Sequence, residues 1–193
     1  MKSIGVFCGS VVGKNPIYKQ TALELGLFLV KKQIRLVYGG GKVGLMGVLA
    51  DTVMQNGGKV VGVIPQFLIE MEVAHNRLSE QIMVKTMHER KKRMTDMADG
   101  FIIIAGGIGT MDEFFEILAW AQLGLHKKPV ALLNVNGFFD KLLDYMDFVI
   151  SEGFIKPQCK QMLIIDNTIE GLFEKMQNHQ PSNMKQWLTK AQV

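Results

Sequence analysis

The chain has 193 residues, 48% hydrophobic and 21% charged, with a net charge of +4, which suits one soluble globular domain with a sizeable core. Mild basicity favours anionic ligands but is far from a nucleic-acid-binding balance, and no apolar run approaches the ~20 residues that span a bilayer. Two cysteines, Cys8 and Cys159, are too few for a disulfide framework, and Met1-Lys2 runs straight into a strand-like segment without a signal-peptide hydrophobic region, so a cytoplasmic protein is expected.

From the amino terminus, short β-like runs alternate with helical stretches. Ser3–Cys8 is the first strand candidate and leads into Gly9-Ser10. A helix is expected from Asn15, which can cap it. Pro16 suits the first helical position, and Tyr18, Ala22, Leu25 and Leu29 recur on one face. Ile34–Tyr38 is the second strand, and it empties into Gly39-Gly40-Gly41-Lys42-Val43-Gly44, where another helix starts. Gly39-x-Gly41-x-x-Gly44 has the form of a dinucleotide fingerprint. The next strand, Lys59–Ile64, runs into Pro65 with no acidic residue to hold the ribose of NAD. Gly41-Lys42 does not complete a P-loop either, because the first glycine would have to stand at Leu36. A glycine-lined mononucleotide pocket fits better.

The segment Pro65–Glu80 has no clear period and reads as a long loop or short helix flanking the same rim. Gln81–Lys85 is a fourth strand, followed by a helix from Met87 that carries His88-Glu89-Arg90-Lys91-Lys92-Arg93. At ~100° per residue, Met87, Arg90, Met94 and Met97 share one direction, so Arg90 lies in an apolar stripe and Lys92 points away. An inward guanidinium needs a carboxylate or a phosphate, unless its stem packs and its head reaches solvent.

The densest signal follows. Phe101–Ala105 reads as a buried strand, and Gly106, Gly107 and Gly109 then precede an acidic helix start at Thr110. Glycines allow a sharp turn and close approach of backbone N–H groups, and a helix N-terminus favours an anion such as phosphate. Thr110 and Glu113 have the spacing of a capping box. The same spacing places Glu113 one turn into the helix, within reach of whatever the loop holds, and both readings stand. Glu116, a turn further on, is a second carboxylate or a polar position on a crowded helix. Pro129–Leu133 and Met162–Ile165 are the last strands, with helices from near Phe138 and Thr168.

Alternation of this kind predicts an α/β, Rossmann-like, doubly wound fold: a mostly parallel sheet of about seven strands with helices on both faces. Residues 1–178 form a single nucleotide-binding domain, and 179–193 are a peripheral extension with a short helix at Met184–Lys190. The loops at Gly9-Ser10, Gly39–Gly47 and Gly106–Gly109 each follow a strand and should gather at one rim. Metal and nucleophile signals are weak: His75, His88, His126 and His179 are scattered, and Cys8 has no evident histidine partner. Asp99, Asp140 and Asp166 sit at loop or turn positions and need no catalytic role.

Taken together, these motifs resemble the Lonely Guy family of cytokinin riboside 5′-monophosphate phosphoribohydrolases, sometimes labelled, wrongly, lysine decarboxylases. Its Pro-Gly-Gly-x-Gly-Thr-x-x-Glu hallmark stands here as Ala105-Gly106-Gly107-Ile108-Gly109-Thr110-Met111-Asp112-Glu113, after Met87-His88-Glu89-Arg90-Lys91-Lys92-Arg93-Met94. Phe7-Cys8-Gly9-Ser10 and Tyr38–Gly47 also match, and the likeness runs from about residue 2 to residue 178. The resemblance implies that Arg90 and Glu113 are the catalytic pair. Gly106, Gly107, Ile108, Gly109 and Thr110 would hold the 5′-phosphate, with Gly9, Ser10, Gly40, Gly41, Met87, Lys91 and Asp112 also on the substrate. One departure is Ala105 in place of the proline, which would leave the loop less stiff and its phosphate affinity lower.

The implied reaction is hydrolysis of the N-glycosidic bond of a purine nucleoside 5′-monophosphate, with adenine or an N6-substituted adenine as base. It needs no metal and no cofactor. A homodimer is implied, with the helix Phe114–Leu123 suited to its interface, and neither nucleic acid nor membrane is an expected partner. Two rival readings are a non-catalytic nucleotide or cofactor carrier of similar fold, and an NAD enzyme built on Gly39–Gly44.

Overall fold

The computed structural model describes residues 1–71 and 74–180, so the expected helix at Met184–Lys190 lies outside the described residues. Seven strands form one all-parallel sheet in the order β4-β3-β2-β1-β5-β6-β7. They are β1 (Ser3–Phe7), β2 (Arg35–Tyr38), β3 (Val60–Pro65), β4 (Glu80–Val84), β5 (Phe101–Ile103), β6 (Val130–Leu133) and β7 (Leu163–Asp166). The chain winds outward from β1 to β4, then returns to lay β5 against the other side of β1, with Gly5 beside Phe101 and Phe7 beside Ile103. In open α/β sheets a ligand crevice lies at such a reversal, here beyond the carboxyl ends of β1 and β5.

Helices cover both faces, as the continuous apolar strands require. On one face α1 (Pro16–Lys31), α2 (Gly44–Gln55) and α8 (Ile169–Gln177) bury Leu25, Leu29, Leu49 and Leu172 against Ile4, Val6 and Leu36. On the other, α4 (Met87–Met97), α5 (Ile108–Gln122) and α6 (Asp140–Ser151) bury Met94, Phe114 and Met146 on the side of Phe7, Val37 and Phe101. The helix α1 starts as its sequence dictates: the Asn15 side chain accepts the Ile17 N–H at 3.0 Å, with Pro16 at the first position. Its inner face is Ala22, Leu25 and Leu29, all fully buried. Among the described residues no helix is long and apolar enough to cross a membrane.

The differences from expectation have local causes. The segment after Pro65 takes the short-helix form expected of it as α3 (Gln66–Glu70), and Ala74 then meets Gly41 in an isolated antiparallel bridge before β4, a pairing the sequence does not predict. The helix expected near Phe138 begins at Asp140, because a 3₁₀ turn at Val135–Gly137 comes first. Asn134 holds that turn, accepting the Phe139 N–H and donating to Asp140, both at 2.7 Å. A short α7 (Pro157–Gln161) precedes β7 and lacks the length to show a period in sequence. Within the helix from Met87 the buried stripe is Arg90, Lys91, Met94 and Thr95, and Met87 is exposed. The stripe is rotated toward Lys91 because that lysine meets carboxylates on α5.

Leu25 is fully buried between α1 and the sheet, whereas Leu27 is half-exposed on the outer face. Leu25→Ala should lower the unfolding free energy by about 2–5 kcal/mol, and Leu27→Ala by no more than about 0.5 kcal/mol. Urea denaturation of the two variants checks the pair.

Candidate active site

Three chain segments converge on the crevice at the strand reversal. The Gly9 N–H donates to the Ala105 carbonyl at 3.0 Å, and the Leu45 N–H donates to the Gly9 carbonyl at 3.0 Å. The loops after β1, β2 and β5 are thereby tied together by main chain. The first of these bonds also pins the residue that stands in place of proline, so the start of the glycine loop is tethered without a ring.

Each glycine loop divides into residues that admit protein and residues that face open space. A Cβ on Gly44, which has a φ of +61°, would overlap the Ser10 backbone. A Cβ on Gly39 would overlap Nη2 of Arg90, and one on Gly106 would overlap the Thr110 hydroxyl. Gly107 and Gly109 have nothing within 4 Å of that position. The fingerprint-like Gly39 and Gly44 therefore make room for the Arg90 side chain and the Ser10 main chain.

The helix α5 begins two residues before Thr110. Gly107 is its N-cap and makes no side-chain capping bond. Thr110 and Glu113 therefore do not form a capping box: Thr110 packs against Gly106, and Glu113 bonds to Arg90. The first N–H groups of α5 open toward the glycine loop, with the partial positive charge of a helix start. Ile108 at the first helical position is 91% exposed and stands at the rim, as does Met87 at the first position of α4. A true helix cap lies instead at Thr86, whose hydroxyl accepts the Glu89 N–H at 3.1 Å while Glu89 accepts the Lys85 N–H at 2.9 Å. That cap sets where α4 starts, and so fixes the rotation that turns Arg90 inward.

Arg90 is 6% exposed and Glu113 8%. Arg90 Nη1 donates to Glu113 Oε1 at 2.7 Å, and Arg90 Nε donates to the Val63 carbonyl at 3.1 Å. The guanidinium is thus fixed by the end of β3, by Glu113 on α5 and by the Gly39 turn after β2. Burial pushes the Glu113 carboxyl above its ordinary value, and Arg90 opposes that push. Next to this pair, burial together with the Glu113 charge raises the Cys8 thiol, so Cys8 is a neutral thiol and no nucleophile.

Lys91 and Asp112, both expected on the substrate, bond to each other at 3.1 Å, and Lys91 also meets Glu116 at 3.0 Å. Burial alone would depress the Lys91 ammonium, but the Glu116 and Asp112 carboxylates outweigh it and hold it above its ordinary value. This second bridge ties α4 to α5 alongside the Arg90–Glu113 pair. Glu116 is therefore not a second carboxylate beside Glu113 but the partner of Lys91. Gly9, Gly40 and Gly41 are buried at the crevice, while Ser10 is exposed beside it. Asp99 accepts the Lys2 and Ser3 N–H groups, and Asp166 caps the turn at Thr168, both away from the crevice. Among the described residues no three His, Cys, Asp or Glu side chains form a metal-binding group. Gly39, read from sequence as a ligand-loop glycine, instead admits the Arg90 side chain, and Val63, not singled out from sequence, acts through a main-chain carbonyl with no sequence signature.

A family model described as "Possible lysine decarboxylase" matches residues 46–176. A probable cytokinin riboside 5′-monophosphate phosphoribohydrolase of Oryza sativa subsp. japonica is 44% identical over 184 residues, 95% of this chain and 75% of its own. The chain belongs to this family. A cytokinin riboside 5′-monophosphate phosphoribohydrolase of Rhodococcoides fascians is 46% identical over 171 residues, 88% of this chain and 86% of its own. Among solved structures, the molybdenum cofactor binding protein from Rippkaea orientalis superposes with a TM-score of 0.67. Its identity is 22%, over 91% of this chain and 95% of that one, a likeness of fold alone.

The core of this chain buries a cation, Arg90, and an anion, Glu113, that depend on each other. Removing only one leaves an unpaired charge, so Arg90→Met should cost about 3–5 kcal/mol of stability. Arg90→Met combined with Glu113→Leu should cost clearly less than the sum of the two single changes. A double-mutant cycle by denaturant unfolding measures both.

Proposed function

We propose that this chain hydrolyses the N-glycosidic bond of a purine nucleoside 5′-monophosphate, AMP or an N6-substituted AMP, to the free base and ribose 5-phosphate. The observation that carries the reading is the buried Arg90–Glu113 pair beside an uncapped helix start, in a family whose curated relatives bear that activity in their names.

In this reading the 5′-phosphate lies against the first N–H groups of α5, at the Gly106–Thr110 loop, with Gly9, Ser10, Gly40 and Gly41 lining the crevice. Met87 and Ile108 close the rim over the substrate. Lys91 and Asp112 act on the same mononucleotide by holding α4 and α5 together around it. As the C1′–N bond breaks, positive charge develops on the sugar, as in glycoside hydrolysis. Ionised Glu113 stabilises that charge and takes a proton from the attacking water, whose oxygen bonds to C1′. The departing base takes up a proton and Glu113 gives up the one it received, so that one water is added across the broken bond overall. Arg90 opposes the effect of burial and so favours the ionised form of Glu113. The phosphate, remote from the breaking bond, supplies binding energy that positions the sugar.

We place the protein in the cytoplasm, in keeping with its two buried free thiols, Cys8 and Cys159. A homodimer suits the outer face of α5, where Phe115 and Ala119 stay exposed while Phe114, Ile117, Leu118 and Ala121 are buried within the chain.

The test is chromatography of AMP, isopentenyl-AMP, their nucleosides, GMP and CMP after incubation with the purified protein. Free base should appear from AMP or isopentenyl-AMP and not from the nucleosides. Nucleotide retained without release of base would sink the reading in favour of a carrier. Glu113→Gln should lower kcat by ~10²–10⁴. Because Glu113 works ionised and its carboxyl is raised, kcat/KM should fall with acidification through a midpoint above the ordinary glutamate range. A pH–rate profile on AMP checks the sign.

A further inference from the structure

The segment from Ala74 to Glu80 lies against the Gly39–Gly41 turn as a strap, and one histidine clamps it. His75 is 6% exposed, although it stands on a connecting segment rather than on a strand or helix. Its main-chain N–H donates to the Gly40 carbonyl at 2.9 Å, next to the Ala74–Gly41 bridge. Its ring bonds on both sides: Nδ1 faces the Arg77 N–H at 3.2 Å, and Nε2 faces Asp51 Oδ1 on α2 at 3.0 Å.

The ring's protonation pattern follows from its neighbours. A backbone N–H only donates, so Nδ1 must present its lone pair; Nε2 then carries the proton and donates to the Asp51 carboxylate. One neutral imidazole satisfies both neighbours, and no aliphatic side chain can.

The bonded turn is the one on which the crevice depends. Gly40 has a φ of +76°, and a Cβ there would press on Ile64 Cβ at 2.9 Å. Because the peptide is planar and trans, pinning the Gly40 carbonyl also fixes the direction of the Gly41 N–H. On the other side of Gly40, Gly39 lies against Arg90 Nη2. Further along the strap, Leu78 reaches over Gly62, and Ser79 accepts the Val60 N–H at 3.0 Å, so that end is anchored independently of His75.

We propose that His75, held by Asp51, is a positioning residue that sets substrate affinity by fixing the Gly40–Gly41 turn. It touches neither substrate nor reacting atoms and acts through that turn. The inference rests on the proposed function for its kinetic consequence, but not for its structural one.

The test uses the full chain. His75→Ala should raise KM for AMP about tenfold, from the loss of bonded neighbours, with kcat within about threefold of wild type. Asp51 is half-exposed, so Asp51→Ala removes the clamp without emptying a buried site and should raise KM in the same direction. Asp51→Asn, whose amide oxygen still accepts from Nε2–H, should restore KM to within about threefold of wild type. Amide hydrogen exchange of peptides covering residues 36–46 should be faster in His75→Ala and Asp51→Ala, and unchanged for residues 101–107.

A wild-type KM in both alanine variants overturns the assignment, as does wild-type exchange over residues 36–46. Asp51→Asn behaving like Asp51→Ala overturns it too. If wild-type protein releases no base, the functional reading fails instead. Exchange then decides the clamp by itself.

Discussion

A guanidinium and a carboxylate sealed from water constrain more of this molecule than any other contact. Arg90 and Glu113 come from different helices on the same face of the sheet, 23 positions apart, and meet at 2.7 Å. Desolvating two charges costs several kcal/mol each, so the pair is tolerable only with good geometry and further hydrogen bonds. The Val63 carbonyl supplies one of these to the guanidinium. Such a pair is weak evidence for stability and better evidence for function, because a packed apolar pair would hold the helices as well. The bridge of Lys91 with Asp112 and Glu116 repeats the α4–α5 link, and only its Asp112 arm reaches solvent, where screening weakens it.

Around that pair the fold supplies place rather than chemistry. The strand order reverses between β1 and β5, and the loops leaving these strands must diverge, which opens the crevice. Main-chain bonds from Gly9 to Ala105 and from Leu45 to Gly9 keep the loops from closing it or drifting apart. The two core layers on either side of the sheet are otherwise ordinary. Their role is to fix the ends of β1, β2, β3 and β5 relative to one another.

Much of this was legible in the residues, where the physics is local. Short apolar β-like runs between helical stretches placed the seven strands within a residue or two, and Asn15-Pro16 marked a helix start because capping involves only neighbours. Arg90 was legible as inward-facing because helical geometry alone relates it to Met94. The identity of its partner was not, since that depends on α4 and α5 packing side by side. For the same reason Lys91 looked like part of a basic run, although it is buried between carboxylates. The Thr110–Glu113 spacing was ambiguous because it cannot say at which residue the helix begins. With α5 starting at Ile108, Thr110 is the third helical residue and the capping role is lost. His75 gave no signal: its partners are two main-chain groups and an aspartate 24 positions away.

The bare α-carbons of Gly107 and Gly109 have a further consequence. Neither has a left-handed backbone, and neither abuts protein atoms. A methyl group at either would meet no protein atom of the chain within 4 Å, its own neighbouring backbone aside. Under the proposed function those two positions are thus a natural gauge: alanine scanning there would grade how much bulk the loop tolerates beside a phosphate, independently of whether the scaffold survives.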